Sequence, residues 1–505
     1  PLVSVAHCKP CPEGVNCETG GITLQQLPIK EGFWRDSATA TNVYECLVKS
    51  DCPGGRNRSE YCVESSTGPL CAVCQDNYYR SSANAPCEAC PSQGASIGTS
   101  IGLLIVCGIL FGLLLWVNRK APDGMLRPFI NFVQYMGVIL AFKAPWPKFL
   151  LKFYSMVQGL NLDVVDVASP ACTGFLSSFN ARFIMMIVML LTIVAGLLAF
   201  PRIRKFETAA KATDARNQSL RDVFIVLLLL HTTVSGKAFA FFRCHKVEKT
   251  SFLMADYRVV CYDATWNGMF VFALLVLLGF SVGIPMAIAY VLHKKRHRLQ
   301  EPKTRGLLGI LYGIYQPKAY YYESINMTFK LLLASTLSFF DHGSEMQLAV
   351  ALVVNVTHMM IHIYVLPFAL KISNQLETAA LFLKCALNMC GLAMNYLSVA
   401  KKAADITEEK LSAYADQITM LQTISSVCTV AIMGKFAVRF LQLAGAKMLA
   451  SGRAAAGSVR NRLNSKGRGA SRDTELTEMG GGLAAADALS GQNISLDSSL
   501  GFGCS

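Results

Sequence analysis

The sequence predicts an all-α polytopic membrane bundle of about nine transmembrane helices. A small disulfide-rich module of loops and β-hairpins precedes it, and a disordered tail follows. Three observations lead there. Hydrophobic residues make up 52% of the 505, gathered in runs near the ~20 residues that cross a bilayer. Ten of the 18 cysteines fall within residues 1–93. The net charge of +14 sits largely in short segments between apolar runs, the pattern of basic residues held on the cytosolic side of a membrane. That placement argues against a nucleic-acid partner. The division is 1–93 cysteine-rich module, 94–445 helical membrane domain and 446–505 basic tail. The chain opens at Pro1 without a signal-peptide pattern, as a processed chain or a piece of a longer one does.

Residues 1–93 are polar and turn-rich, with Cys8, Cys11, Cys17, Cys46, Cys52, Cys62, Cys71, Cys74, Cys87 and Cys90. An even number of cysteines among Gly, Pro and Asn turns reads as a disulfide framework. With so little apolar material, cross-links must limit the unfolded ensemble instead. Zinc competes, because Cys71-x2-Cys74 and Cys87-x2-Cys90 have ribbon spacing. Compartment decides for disulfides. The first apolar run, 95–117, is followed by the basic NRKAPDGMLR, which places residues 1–93 outside the cell. Asn57-Arg58-Ser59 is a usable glycosylation sequon on that side.

CKPCPEGVNC, GFWR at 32–35, CPGG at 52–55, GPLCAVCQDNYY at 68–79 and CEACP at 87–91 resemble the ephrin-receptor-like cysteine-rich modules. The resemblance implies an adhesive or ligand-contacting ectodomain with an unknown extracellular ligand.

The spans follow in order. After 95–117, a second rises over 128–160 with Asn131 and Gln134 inside it and a breaker, PWP, at 145–147. A loop through Cys172 leads to the third span, 179–200, and a polar linker at 205–219. The fourth span is about 221–242, with His231 in mid-span as a satisfied buried histidine. Cys244 and Cys261 bracket an outer loop and pair with each other, which leaves Cys172 as the odd thiol of thirteen cysteines outside. The fifth span, 268–292, holds a kink site at Gly283-Ile284-Pro285, and 293–319 is a basic inner loop. The ninth, about 418–441, precedes a Gly, Ala, Ser and Arg-rich tail attracted to anionic lipid.

Spans six to eight occupy 320–397 and carry polar groups at helical spacing. Glu323, Asn326 and Lys330 recur on the sixth, and Asn355, His358 and His362 on the seventh. Glu377, Lys384, Asn388 and Asn395 lie on the eighth, within about 20° of one line. Ionisable groups inside a membrane face a bundle interior or a water-filled path, so the three spans share a polar seam. The two lysines fall at one level and should repel unless something separates or neutralises them. Different acceptors are expected for them, with Glu323 or Glu377 reached along the stem. The seam is a pathway, or it is structural glue. His358 and His362 have no Cys or carboxylate beside them on their helix, so no metal is expected, nor any cofactor.

FINFVQYMGVILAFKAPWP, SPAC at 169–172, FLMADYRVVCYD at 252–263, GIP at 283–285, YGIYQPKAYYYESINMTFKLLL at 312–333 and the closing HxxxHIYVLPF resemble the transient-receptor-potential-like membrane region. The resemblance covers about residues 95–445 and implies a cation channel. An enzyme is not expected, since Walker loop, nucleophile elbow and HExxH are all missing. Two function classes stand: a channel- or transport-type protein of the plasma membrane with its N-terminus outside and its C-terminus in the cytosol, or a receptor or adhesion protein whose bundle is an anchor. Nine spans exceed what an anchor requires; the missing acidic filter favours the anchor. A homo-oligomer fits either.

Overall fold

The computed structural model describes residues 11–18, 22–56, 61–80, 86–92, 178–340 and 344–402, Cys172, and scattered positions in 94–138 and 412–438. Cys8, Asn57, the PWP breaker and the tail lie outside the described residues.

The N-terminal module is built from three two-stranded antiparallel ribbons. β1 (Phe33–Trp34) pairs with β2 (Tyr44–Glu45), β3 (Ser66–Thr67) with β4 (Val73–Cys74), and β5 (Tyr78–Arg80) with β6 (Cys87–Ala89). Its disulfides join Cys11–Cys17, Cys46–Cys52, Cys62–Cys71 and Cys74–Cys87. Cys71, Cys74 and Cys87 of the zinc-ribbon spacing are therefore spent on other partners. A fifth bond, Cys90–Cys172, leaves the module and corrects the expectation that Cys172 is the odd thiol. Sequence spacing favours near partners, whereas this bond closes across 82 residues and depends on where the chain returns.

The buried centre of the module gathers Val15, Leu27, Ile29, Trp34, Tyr61 and Leu70 around its cystines. Arg35 is wholly buried there, donating to the Leu24 carbonyl (2.8 Å) and to Tyr61 Oη (3.0 Å). Gly54 has φ +81°, and a Cβ on it would meet the Ile29 carbonyl oxygen at 2.4 Å, so only glycine fits.

The helices begin with α1 (Phe179–Ile203) and α2 (Ala209–Phe241). The polar run 205–219, expected as a linker, is instead mostly the first three turns of α2. Thr208 Oγ1 caps it by accepting from the Lys211 amide, and Ala, Lys, Arg and Gln sustain it. A three-stranded sheet follows: β7 (Cys244–Val247), β8 (Thr250–Leu253) and β9 (Asp256–Val260), closed by Cys244–Cys261. Asp256 grips Arg258 with both oxygens (2.8 and 2.9 Å) and accepts from the Phe179 amide (2.9 Å) at the start of α1. Val247 and Tyr257 pack into the core of the N-terminal module, and Tyr44 Oη accepts from the Glu248 amide at 2.9 Å.

α3 (Ala264–Leu275) starts on an Asp263 cap and runs through a π-helical stretch, Val276–Val282, into α4 (Gly283–Lys294). The wide turn sits just before the Gly-Ile-Pro site. Pro285 has no N–H for the carbonyl four residues back, that of Ser281. His231 Nε2 of α2 donates to that carbonyl at 2.9 Å. The 293–319 segment, expected as a loop, contains α5 (Pro302–Tyr312), with Pro at its first turn where a missing N–H costs nothing.

α6 (Tyr322–Phe339), α7 (Glu345–Val365) and α8 (Lys371–Lys402) complete the described bundle. Ser344 Oγ caps α7 by accepting from the Gln347 amide. Among the described residues, five helical segments are long and apolar enough to cross a membrane: α1, α2, the continuous α3–α4 stretch, α7 and α8. α6, with Glu323, Asn326 and Lys330 in its 18 residues, is not among them. The described positions of the first, second and ninth expected spans, such as 101–102, 134–138 and 416–425, are helical. The chain is thus a mostly helical protein with helices that fit a membrane, behind a disulfide-rich region of small strands.

Candidate functional site

The polar seam is interior. Glu323, Asn326, Lys330, Asn355, His358, His362, Glu377, Lys384 and Asn388 are all buried, and Asn395 is half-buried. Their helices present instead Leu332, Val353, Met360, Ile363, Phe382 and Met389 as exposed large apolar side chains. The apolar packing around the seam joins Phe329 and Leu333 of α6, Leu348 and Ala351 of α7, Ala380 and Leu387 of α8, and Tyr135, Met136 and Val138.

The seam divides chemically into two parts. The α6 side is hydrogen-bonded nearly throughout. Asn326 is its node: Nδ2 donates to Tyr315 Oη (3.2 Å), Oδ1 accepts from His358 Nε2 (3.1 Å), and its carbonyl accepts from Tyr135 Oη (3.0 Å). Tyr315 Oη donates to Glu323 Oε2 at 2.7 Å. Lys330 Nζ donates to Asn131 Oδ1 and Gln134 Oε1, both at 2.6 Å. Gln134 also donates to the Leu229 carbonyl (2.8 Å) and accepts from Thr232 (3.3 Å), which links this network to α2.

A latch closes the 312–323 and 362–374 ends. His362 Nε2 donates to the Asn374 carbonyl (3.3 Å), so its Nδ1 accepts from Tyr322 Oη (3.1 Å). Asn374 clamps Phe368 from both directions, accepting from its amide and donating to its carbonyl. Gln316 and Ala369 exchange backbone bonds across the same gap, with Pro367 and Ile314. Leu366 takes the left-handed conformation (φ 45°) to end α7 ahead of the proline, and its amide donates to the His362 carbonyl.

The α8 side is different. Both oxygens of Glu377, Nζ of Lys384, both amide atoms of Asn355 and Asn388, and Nδ1 of His358 are buried without a hydrogen-bond partner among the described residues. Lys384 Nζ lies 3.7 Å from the centre of the Tyr135 ring, and Lys330 Nζ lies 5.6 Å from the same centre. One tyrosine thus stands beside both ammonium groups, a favourable cation–π arrangement for each. This corrects the expectation of a carboxylate acceptor for Lys384. Tyr135 is thus an aromatic neighbour common to the two lysines. Sequence periodicity on three spans leaves out Tyr135, because a tyrosine in an apolar run reads as packing, and Tyr315, because it falls in the segment expected as an inner loop.

Among the described residues, the one close cluster of metal-type ligands is Cys46, Cys52 and Cys71, all in disulfides. Comparison of the chain with protein-family models, with curated proteins and with solved structures gives no match.

Proposed function

We propose that the chain is a multi-pass membrane protein of transport type, a transient-receptor-potential-like bundle of about nine spans behind an ephrin-receptor-like ectodomain. In this reading the α7–α8 side of the seam is the polar interior through which solute passes, and the α6 side is the scaffold that holds it. The observation that carries the reading is the set of unpartnered groups at Asn355, Glu377, Lys384 and Asn388. A purely structural seam pairs its polar atoms, as the α6 side does except at Asn131 Nδ2 and Ser324 Oγ; each unpaired one costs about 1–3 kcal/mol. Such groups persist where water or solute meets them.

The N-terminus is outside and the tail in the cytosol, in the plasma membrane, with Asn57 available to a glycan and the basic tail on anionic lipid. The second reading, a non-conducting receptor or adhesion protein, draws on the saturated network around Asn326 and on the docking of the module against the β7–β9 sheet. Liposome flux of Na⁺, K⁺ and Cl⁻ through purified protein separates the two. Flux that Lys384→Ala alters per molecule supports transport; a tight bilayer at full incorporation supports the anchor.

A further inference from the structure

The unpartnered groups form a set with two opposite formal charges. Glu377 and Lys384 stand seven residues, about 10 Å, apart along α8. His362 meets the Asn374 carbonyl where α7 and α8 turn, and the five-residue connection makes the helices antiparallel. Counting outward from that contact puts His358 level with Glu377 and Asn355 between Glu377 and Lys384. Tyr135 ties the levels together, since its ring lies 5.4 Å from that of His358 and 3.7 Å from Lys384 Nζ. The groups therefore line one stretch of the α7–α8 interior.

Charge balance narrows what can sit there. An anion answers Lys384 and the amides but leaves Glu377 unpaired and repelled. A cation answers Glu377 and His358 Nδ1 but faces Lys384, with Lys330 near the same ring. A solute with both signs answers each group: its carboxylate takes Lys384 and Asn388, its ammonium donates to Glu377 and His358 Nδ1, and Asn355 bridges between. His358 Nδ1 is a free lone pair because Nε2 donates to Asn326. We propose that this stretch binds a small zwitterion of the amino-acid class. The proposal rests on the transport reading for the site's access, and names its substrate class.

The test is equilibrium binding to purified full-length protein in nanodiscs. The probes are glycine, γ-aminobutyrate and 6-aminohexanoate, with butyrate and butylamine as single-charge controls. Expected is saturable binding of at least one zwitterion, no binding of either control, and a roughly tenfold to hundredfold loss in Glu377→Gln and in Lys384→Met. Binding of butyrate equal to the best zwitterion makes this an anion site, binding of butylamine makes it a cation site, and no binding of any probe leaves no solute site; each overturns the proposal. Should a variant fail to fold, the wild-type probe series decides alone. Ion flux measured in parallel separates the two ideas. Zwitterion binding without flux of any probe or ion overturns the transport reading and keeps the site, while ion flux without zwitterion binding does the reverse.

Discussion

At the scale of single residues, the two seam lysines have the same sequence pattern and opposite surroundings. Lys330 makes two short charged hydrogen bonds, each worth about 1.5–3 kcal/mol. Lys384 makes none and rests on a ring. Replacing a poorly partnered buried charge by an apolar side chain of like volume is often neutral or stabilising. Lys330→Met should therefore lower thermal stability in detergent by about 3 kcal/mol, and Lys384→Met by about 2 kcal/mol less. Equal losses would mean that the two sites are equivalent. Tyr135→Leu removes the ring near both ammoniums and should cost about 3 kcal/mol; Tyr135→Phe, which loses only the bond to the Asn326 carbonyl, should cost about 1 kcal/mol. The burial of these residues was legible in the sequence, because an i, i+3, i+7 pattern of ionisable groups inside apolar runs must face inward. Which of them would be paired was not legible. That depends on Asn131, Gln134 and Tyr135, some 190 residues away in the chain.

At the scale of elements, the π-helical stretch and His231 form one unit. The Ser281 carbonyl loses a donor to Pro285 and gains one from α2. His231→Phe should destabilise the protein by about 1–3 kcal/mol, and by clearly less in a Pro285→Ala background, where an amide is restored. Additive losses in the double-mutant cycle would separate the two residues. The sequence marked the kink from Gly-Ile-Pro and a buried histidine at 231; that the histidine serves the carbonyl freed by the proline is a tertiary fact, and it uses Nε2 alone, Nδ1 having no partner among the described residues. In the β7–β9 sheet, Tyr257 lies 2.9 Å from His245 Nδ1 and its phenol is pushed up to about 12, chiefly by burial, with Arg243 pulling the other way. The unfolded chain releases that proton near pH 10. Between the two values the folded state binds more protons, so stability falls as pH rises from about 10 towards 12. Ultraviolet titration of wild type against Tyr257→Phe should show one tyrosine ionising late, and the variant's stability should fall less over that range. The polar run at the start of α2 reads as a linker from its charge, yet its Ala, Lys, Arg and Gln are good helix formers and Thr208 caps them, which polarity hides.

At the scale of the whole molecule, the described residues of the module and the bundle hold each other by contacts of different kinds. They include the Cys90–Cys172 bond, the Tyr44–Glu248 hydrogen bond and the shared packing of Val247 and Tyr257 with the module's core. Non-reducing peptide mapping should recover a Cys90–Cys172 pair, and Cys172→Ser should leave the five local bonds intact while raising hydrogen exchange across β7–β9. A Cys90–Cys8 pair in the wild type would contradict the connectivity. The layered organisation, a cysteine-rich piece before an apolar helical one, was legible from composition alone. Helix number was less so. Hydropathy measures single segments, and α6 is too polar to stand in lipid by itself, yet its neighbours bury it.

That long disulfide also sets a timetable for synthesis. Five of the six bonds among the described residues join cysteines 6 to 17 residues apart, so each partner emerges soon after the first. Cys90 must wait for 82 further residues, roughly 4–16 s at ribosomal speeds of about 5–20 residues per second. Throughout that interval it is a nascent-chain thiol three residues from Cys87, competing for Cys74. Errors of oxidation should therefore concentrate in this one triplet. Slowed translation between residues 90 and 172 should lengthen the wait and raise the mispaired fraction there, with the other cystines unaffected.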